Sequence, residues 1–144
     1  MARVSHKNIC SYVDSFIANG NKLYLIMEYC DRGDLEQYMA RTKAMAFNSN
    51  AAMSLANQRA ELSEPKVWRF FLQICLALEV IHSQGIVHAD LKPSNLLISG
   101  RDYVIKLTDF GISQKLSTGY DKTHSNAGTL PYCSPEVING DAYN

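Results

Sequence analysis

The stretch IVHADLKPSNLLI, residues 86–98, sets a carboxylate at Asp90, an ammonium at Lys92 and an amide at Asn95 between apolar flanks. A second acid, Asp109, follows in TDFG, beyond a short apolar run. Two carboxylates and an amide carbonyl offer few, hard oxygen donors. That set suits Mg²⁺, which keeps several waters and fills its shell with phosphate oxygens. A lysine supplies a point charge for a phosphoryl group. A carboxylate that is not on the metal can accept the proton of an attacking hydroxyl. Each acid alone reads better as an ordinary loop or capping residue. Only their convergence would make a site.

The elements around them must produce that convergence. YVDSFIANGNKLYLIMEY, residues 12–29, reads as a β-hairpin, with β-branched and aromatic runs on either side of Asn19-Gly20-Asn21. Residues 33–45 switch to helical spacing, with Leu35, Met39 and Thr42 on one face. Residues 46–62, rich in Ala, Asn and Ser, read as an insertion or loop. The longest helix follows, with Ser63 as N-cap, Pro65 in its first turn and Gly85 as its stop. Val67, Phe70, Phe71, Ile74, Leu78 and Ile81 form a stripe at spacings of three and four, and Trp68, Leu72, Cys75, Leu76 and Val80 fill the other side, which predicts burial all round. Two short strands, near 96–98 and 104–107, turn through SGRD. That hairpin carries Asp109 back toward Asn95.

Composition narrows the classes. The 144 residues amount to about one domain, 47% hydrophobic and 19% charged, as in a globular protein with a core. Fourteen basic and fourteen acidic side chains cancel, so neither a nucleic-acid footprint nor a polybasic membrane patch is indicated. The most apolar run, FFLQICLAL, is too short to span a bilayer, and no signal peptide is visible. Cys10, Cys30, Cys75 and Cys133 lie at no metal or redox spacing and read as buried thiols. They favour a reducing compartment: the cytoplasm, with the nucleus also open. His88 has no second ligand at metal spacing and reads as a hydrogen-bonded core histidine. His6, His82 and His124 read as structural or exposed.

HADLKPSN, then TDFG, then GTLPYCSPE, in that order, resemble the catalytic loop, metal-binding motif and activation-segment end of eukaryotic protein kinases. The resemblance implies a partial α+β kinase-like fold. Residues 1–30 would be small-lobe strands and hinge, and residues 31–144 the start of the helical lobe. It implies a protein serine/threonine kinase that uses ATP and Mg²⁺ and acts on protein substrates. By the same resemblance Asp90 is the catalytic base, Lys92 touches the γ-phosphate, and Asn95 and Asp109 hold Mg²⁺. Lys92-Pro93 and Thr129 resemble the serine/threonine branch, with the Thr129 hydroxyl beside the substrate.

LIMEYCDRGDL resembles the hinge, with Met27 as gatekeeper, Glu28 and Cys30 offering backbone to the adenine, Asp34 near the ribose and Leu97 as the adenine floor. Tyr12 would stack above Phe110 and His88. MEYCDRGDL and LQICLALEVIH resemble NIMA-related kinases. Thr123 and Ser125 fall where the family is often phosphorylated, and equally read as a polar loop.

The chain departs from the pattern at Ala89, where the family has an arginine that pairs with an activation-segment phosphate. It also shows no glycine-rich loop, no strand lysine with its helix glutamate, and no arginine partner for Glu136. The implied coverage is about half a kinase domain, from hinge to activation-segment end. Half the phosphate clamp would be missing, so the isolated chain is expected to be inactive. The long helix would lack its neighbours and leave apolar surface exposed. A pseudokinase, or a nucleotide-binding interaction module without phosphotransfer, is the alternative. A structural fragment without a ligand is a third.

Overall fold

The computed structural model describes residues 4–48, 62–116 and 128–143. Thr123, Ser125, His124 and most of the expected insertion lie outside them.

Strands β1 (Tyr12–Ala18) and β2 (Lys22–Met27) form the expected antiparallel hairpin. Its turn runs through positive φ at Asn19 (49°), Gly20 (73°) and Asn21 (68°), conformations that asparagine and glycine tolerate best. The segment after β2 continues along β4 (Leu96–Ser99). Arg32 N–H donates to the Ile98 carbonyl at 3.1 Å, and Ile98 N–H donates to the Gly33 carbonyl at 2.8 Å. Asp34 thereby bridges Leu97.

Helix α1 (Leu35–Asn48) starts from Asp34, whose Oδ1 accepts the Gln37 N–H at 2.8 Å. That bond satisfies one of the free amides of the first turn. The helix extends past residue 45, so the expected insertion begins as helix. Its inward face is Leu35 and Tyr38 rather than Leu35, Met39 and Thr42. Met39 is exposed, and Thr42 donates its hydroxyl back to the Tyr38 carbonyl at 2.9 Å.

Helix α2 (Glu64–His82) has Ser63 at its N-cap and Pro65 in the first turn, but the Ser63 hydroxyl makes no capping bond. The chain leaves α2 through Gly85, at φ 67°. The expectation of burial all round fails. Only Phe70, Ala77 and Ile81 are buried, backed by the half-buried Ile74, while Trp68, Phe71 and Leu72 are more than half exposed. Positions 70, 74, 77 and 81 make one stripe at helical spacing. The opposite face has no partner among the described residues. Cys75 rides on that face and is exposed, contrary to its reading as a buried thiol. Cys10 is buried, Cys30 and Cys133 are half-buried, and all four are free thiols.

The buried stripe of α2 packs on β4 and β5 (Val104–Leu107), which pair antiparallel with Leu96 opposite Leu107 and Ile98 opposite Ile105. These four are buried, while Leu97 and Lys106 alternate to the other face. Three short elements escape the sequence pattern. Strands β3 (Ile86–Val87) and β6 (Gln114–Lys115) pair over only two residues each, and α3 (Pro135–Asn139) is little more than one turn. No described helix is long and apolar enough to cross a membrane.

Candidate active site

Pro93 shapes the loop between β3 and β4. A residue before proline is driven from helical to extended backbone, and Lys92 sits at φ −154°, ψ 162°. Residues Pro93–Asn95 then make one 3-10 turn, closed by Asn95 N–H on the Lys92 carbonyl at 3.0 Å. The turn folds Asn95 back over Asp90. The Asn95 amide nitrogen donates to the Asp90 carbonyl at 2.8 Å and to Asp90 Oδ2 at 3.0 Å. Asn95 is 5% exposed, so losing either partner would leave a buried donor unsatisfied.

The Asp90 carboxylate is held from three sides. Lys92 Nζ lies 2.7 Å from Oδ2, and the Thr129 hydroxyl donates to Oδ1 at 2.7 Å. Lys92 Nζ also donates to Thr129 Oγ1 at 2.8 Å, closing a ring of three polar contacts. Burial alone would raise the Asp90 pKa. The Lys92, Thr129 and Asn95 hydrogen bonds outweigh it and hold the carboxyl below the ordinary carboxylate value. The group is therefore an anion at neutral pH, set to accept.

The ring joins residues 39 apart in sequence, and Gly128 lets them meet. At φ 132°, a Cβ there would stand 3.0 Å from the Ala89 carbonyl and 3.1 Å from Cys133 Sγ. Ala89 itself is left-handed, at φ 65°.

His88 is 2% exposed, as its reading as a core histidine required. Its Nε2 donates to the Thr108 carbonyl at 2.9 Å, and its Nδ1 accepts the Asp90 N–H at 3.3 Å. These two roles fix the neutral tautomer. Thr108 N–H donates to the Asn95 carbonyl at 3.0 Å. The residue before Asp109 is thus bound to both His88 and Asn95, which brings the second acid to the catalytic loop. Asp109 is exposed, at φ 62°, and its Oδ1 accepts the Gly111 N–H at 3.2 Å. Phe110 turns inward onto His88, with ring centroids 5.1 Å apart. Tyr12 does not join them. It is 39% exposed and shares a hydrogen bond with Ser15 Oγ at 2.7 Å. The expected three-ring stack is therefore a pair.

Two of these oxygen donors suit Mg²⁺ by type. The Asn95 nitrogen is committed to Asp90, which fixes the amide orientation and leaves Oδ1 as its acceptor end. No group of three His, Cys, Asp or Glu side chains fit to hold a metal occurs among the described residues. A site of one amide and one carboxylate oxygen, completed by water and phosphate, is the kind Mg²⁺ accepts.

At the hinge, Glu28 N–H donates to the Ser11 carbonyl at 2.9 Å, and the Glu28 carbonyl has the Cys10 thiol at 3.6 Å. The Glu28 carboxylate pairs with Lys106 Nζ at 2.5 Å and accepts the Ser11 N–H at 3.1 Å. Burial pushes against its ionisation, but these partners prevail and its pKa falls. Burial raises the Cys30 thiol to about 11, so it is protonated at neutral pH. Met27 ends β2 and is 47% exposed. Leu97 faces away from the core beside Asp34. One Asp34 oxygen caps α1, a role the sequence reading did not include. That reading also passed over the Glu28–Lys106 pair. Its signal was present in Lys106, the polar residue between buried Ile105 and Leu107.

The ring around Asp90, the acid delivered after β5 and the segment along β4 belong to a protein-kinase-type fold. The whole chain, residues 1–144, matches the protein kinase domain family and belongs to it. It is 38% identical over 144 residues to the serine/threonine-protein kinase nekl-2 of Caenorhabditis elegans, covering all of this chain and 38% of that protein. It is 36% identical to the serine/threonine-protein kinase Nek5 of Mus musculus, again over all of this chain but 20% of that protein. The maternal embryonic leucine zipper kinase of Xenopus tropicalis is 37% identical, over 99% of this chain and 19% of its own length. The resemblance to NIMA-related kinases is therefore upheld, although similarity at this level is not confined to them. The chain spans well under half the length of each of these relatives.

Proposed function

We propose that this chain carries the catalytic-loop half of a serine/threonine kinase site, and that the full-length protein transfers the ATP γ-phosphate to serine or threonine hydroxyls of proteins. The closed ring of Asp90, Lys92 and Thr129 carries this reading. A binding module has no need of an anionic carboxylate held by a lysine beside a hydroxyl. Asp90 is the base: ionised, it orients the incoming hydroxyl and takes its proton as the new O–P bond forms. Its lowered pKa makes it an acceptor that acts late, once the attacked phosphorus has made the hydroxyl acidic. Lys92, now on Asp90 and Thr129, would exchange Thr129 for a γ-phosphate oxygen as its partner. Thr129 shares the carboxylate that the substrate hydroxyl must reach.

Asn95 and Asp109 would hold Mg²⁺, which when bound neutralises the phosphate oxygens. Met27, Glu28, Cys30, Asp34 and Leu97 would line the nucleotide side, with the Glu28 carbonyl and the Cys30 backbone toward the adenine. The four free thiols fit a cytoplasmic or nuclear protein. The deciding experiment compares ³²P transfer from ATP to a mixed peptide array by the full-length protein and by its Asp90→Asn variant. Transfer to serine and threonine that is lost in the variant supports the reading. Nucleotide binding without transfer, equal in both, would return the protein to the pseudokinase class.

A further inference from the structure

Gln73 lies on α2 and takes no part in the site described above. Its Oε1 accepts two hydrogen bonds at once: from the Asn8 side-chain amide at 2.9 Å and from the Ile105 main-chain N–H at 3.0 Å. The same Asn8 nitrogen donates to the Ile105 carbonyl at 2.9 Å. Two side-chain amides therefore satisfy both main-chain groups of one β5 residue. Asn8 is 3% exposed and Ile105 fully buried, so water does not compete. Among the described residues, the Gln73 nitrogen donates only within the helix, to the Arg69 carbonyl at 3.2 Å. The working end of the side chain is the acceptor.

Three segments meet at this point. Leu107 N–H donates to the Asn8 carbonyl at 2.8 Å, and Cys10 N–H to the Leu107 carbonyl at 2.9 Å, so the segment leading to β1 and the hinge lies along β5. Two residues beyond Leu107 stands Asp109. Helix α2 itself runs on to the loop of His88 and Asp90. Asp109 is tied to Asn95 through Thr108, and a β5 strand freed from α2 would strain that tie and let Asp109 shift against Asn95. Mg²⁺ tolerates little displacement, because it demands near-ideal octahedral geometry.

We propose that Gln73 is a positioning residue whose carbonyl oxygen fixes β5 on α2 and so sets where Asp109 is delivered to the metal. The proposal rests on the reading of Asp109 as a Mg²⁺ ligand. The test uses the full-length protein with Gln73→Leu, which removes the acceptor, and Gln73→Glu, which keeps it. Two quantities are measured: amide hydrogen exchange at Ile105, and the Mg²⁺ concentration giving half-maximal phosphotransfer.

In the leucine variant exchange rises about tenfold and the Mg²⁺ requirement about fivefold, as expected for one lost buried hydrogen bond. Turnover at saturating Mg²⁺ stays within about twofold, because the base and lysine are untouched. The glutamate variant matches wild type in both. Faster exchange with an unchanged Mg²⁺ requirement would reduce Gln73 to a structural residue. A glutamate variant as impaired as the leucine one would overturn the acceptor role. If Gln73→Leu does not fold, Gln73→Ala, a smaller change that also removes the acceptor, must raise the Mg²⁺ requirement, and an unchanged value defeats the proposal. Wild-type protein that transfers no phosphate overturns the kinase reading and the metal part with it. Unaltered exchange at Ile105 in the leucine variant overturns the clamp independently.

Discussion

His88 and Thr108, twenty residues apart, are joined by a 2.9 Å hydrogen bond between a buried imidazole and a main-chain carbonyl. The bond holds the catalytic loop to the residue before Asp109. Burial is the largest influence on the ring and lowers its pKa, against the opposing pull of the Thr108 carbonyl and of Asp90 and Asp109. A histidine depressed in the folded state binds fewer protons there than in the unfolded chain. Its contribution to stability is complete above the unfolded value of 6.5 and is lost as pH falls below it, through the depressed folded value. Protonation would place a hydrogen on Nδ1, where the Asp90 N–H now points. NMR titration should give His88 a pKa below 6.5, and phosphotransfer should decline on the acid side with it. A pKa at or above the free value would contradict the packing.

Asp90→Asn should lower turnover by about 10²–10⁴-fold, the usual range for a positioned general base. Nucleotide affinity should change little, since the substitution touches neither the hinge nor Asp109. Isothermal titration with ATP beside steady-state kinetics separates the two effects.

Thr129→Val removes the hydroxyl that links Asp90 Oδ1 and Lys92. The loss should cost about 1–2 kcal/mol, seen as a lower melting temperature and about tenfold weaker kcat/KM. Thr129→Ser keeps the hydroxyl and should restore most of both. Equal damage by serine would show that the methyl packing, not the ring of contacts, matters.

Ala89 has no guanidinium to meet a phosphate. The chain should therefore be indifferent to activation-segment phosphorylation, and Ala89→Arg in the full-length protein should introduce such dependence. Activity of that variant before and after phosphatase treatment is the measurement, and equal rates would count against the idea.

The apolar face of α2 offers Trp68, Phe71 and Leu72 to solvent. The 144-residue chain should self-associate, and the double substitution Phe71→Glu with Leu72→Lys should suppress this. Stability should shift by less than about 1 kcal/mol, because exposed positions contribute little to the folded core. Light scattering with thermal melts decides it. A wild-type chain that stays monomeric with a cooperative melt would refute the expectation.

Much of this was legible in one dimension. The Asn19-Gly20-Asn21 turn and the strands on either side of SGRD follow from local backbone preference, and local preference is written residue by residue. The short spacing of Asp90, Lys92 and Asn95 let chemistry alone nominate the loop. The face of α2 was only partly legible. Spacing set Phe70, Ile74 and Ile81 on one stripe, but apolar residues surround the helix, so it passed over Ala77 and drew in the exposed Val67 and Phe71. Only the position of β4 and β5 chose the buried face. Met39 and Cys75 were misplaced for the same reason: an apolar side chain states a preference for burial but not the presence of a neighbour.

The sequence by itself determined the parts of the site, because residue type sets what each group can donate, accept or hold. The tertiary structure alone decided which parts touch: Thr129 on Asp90 across 39 residues, Thr108 on His88 and Asn95, Gln73 on Asn8 and Ile105. Such contacts join polar groups far apart along the chain. They depend on how strands and helices are stacked, which no local pattern of residues encodes.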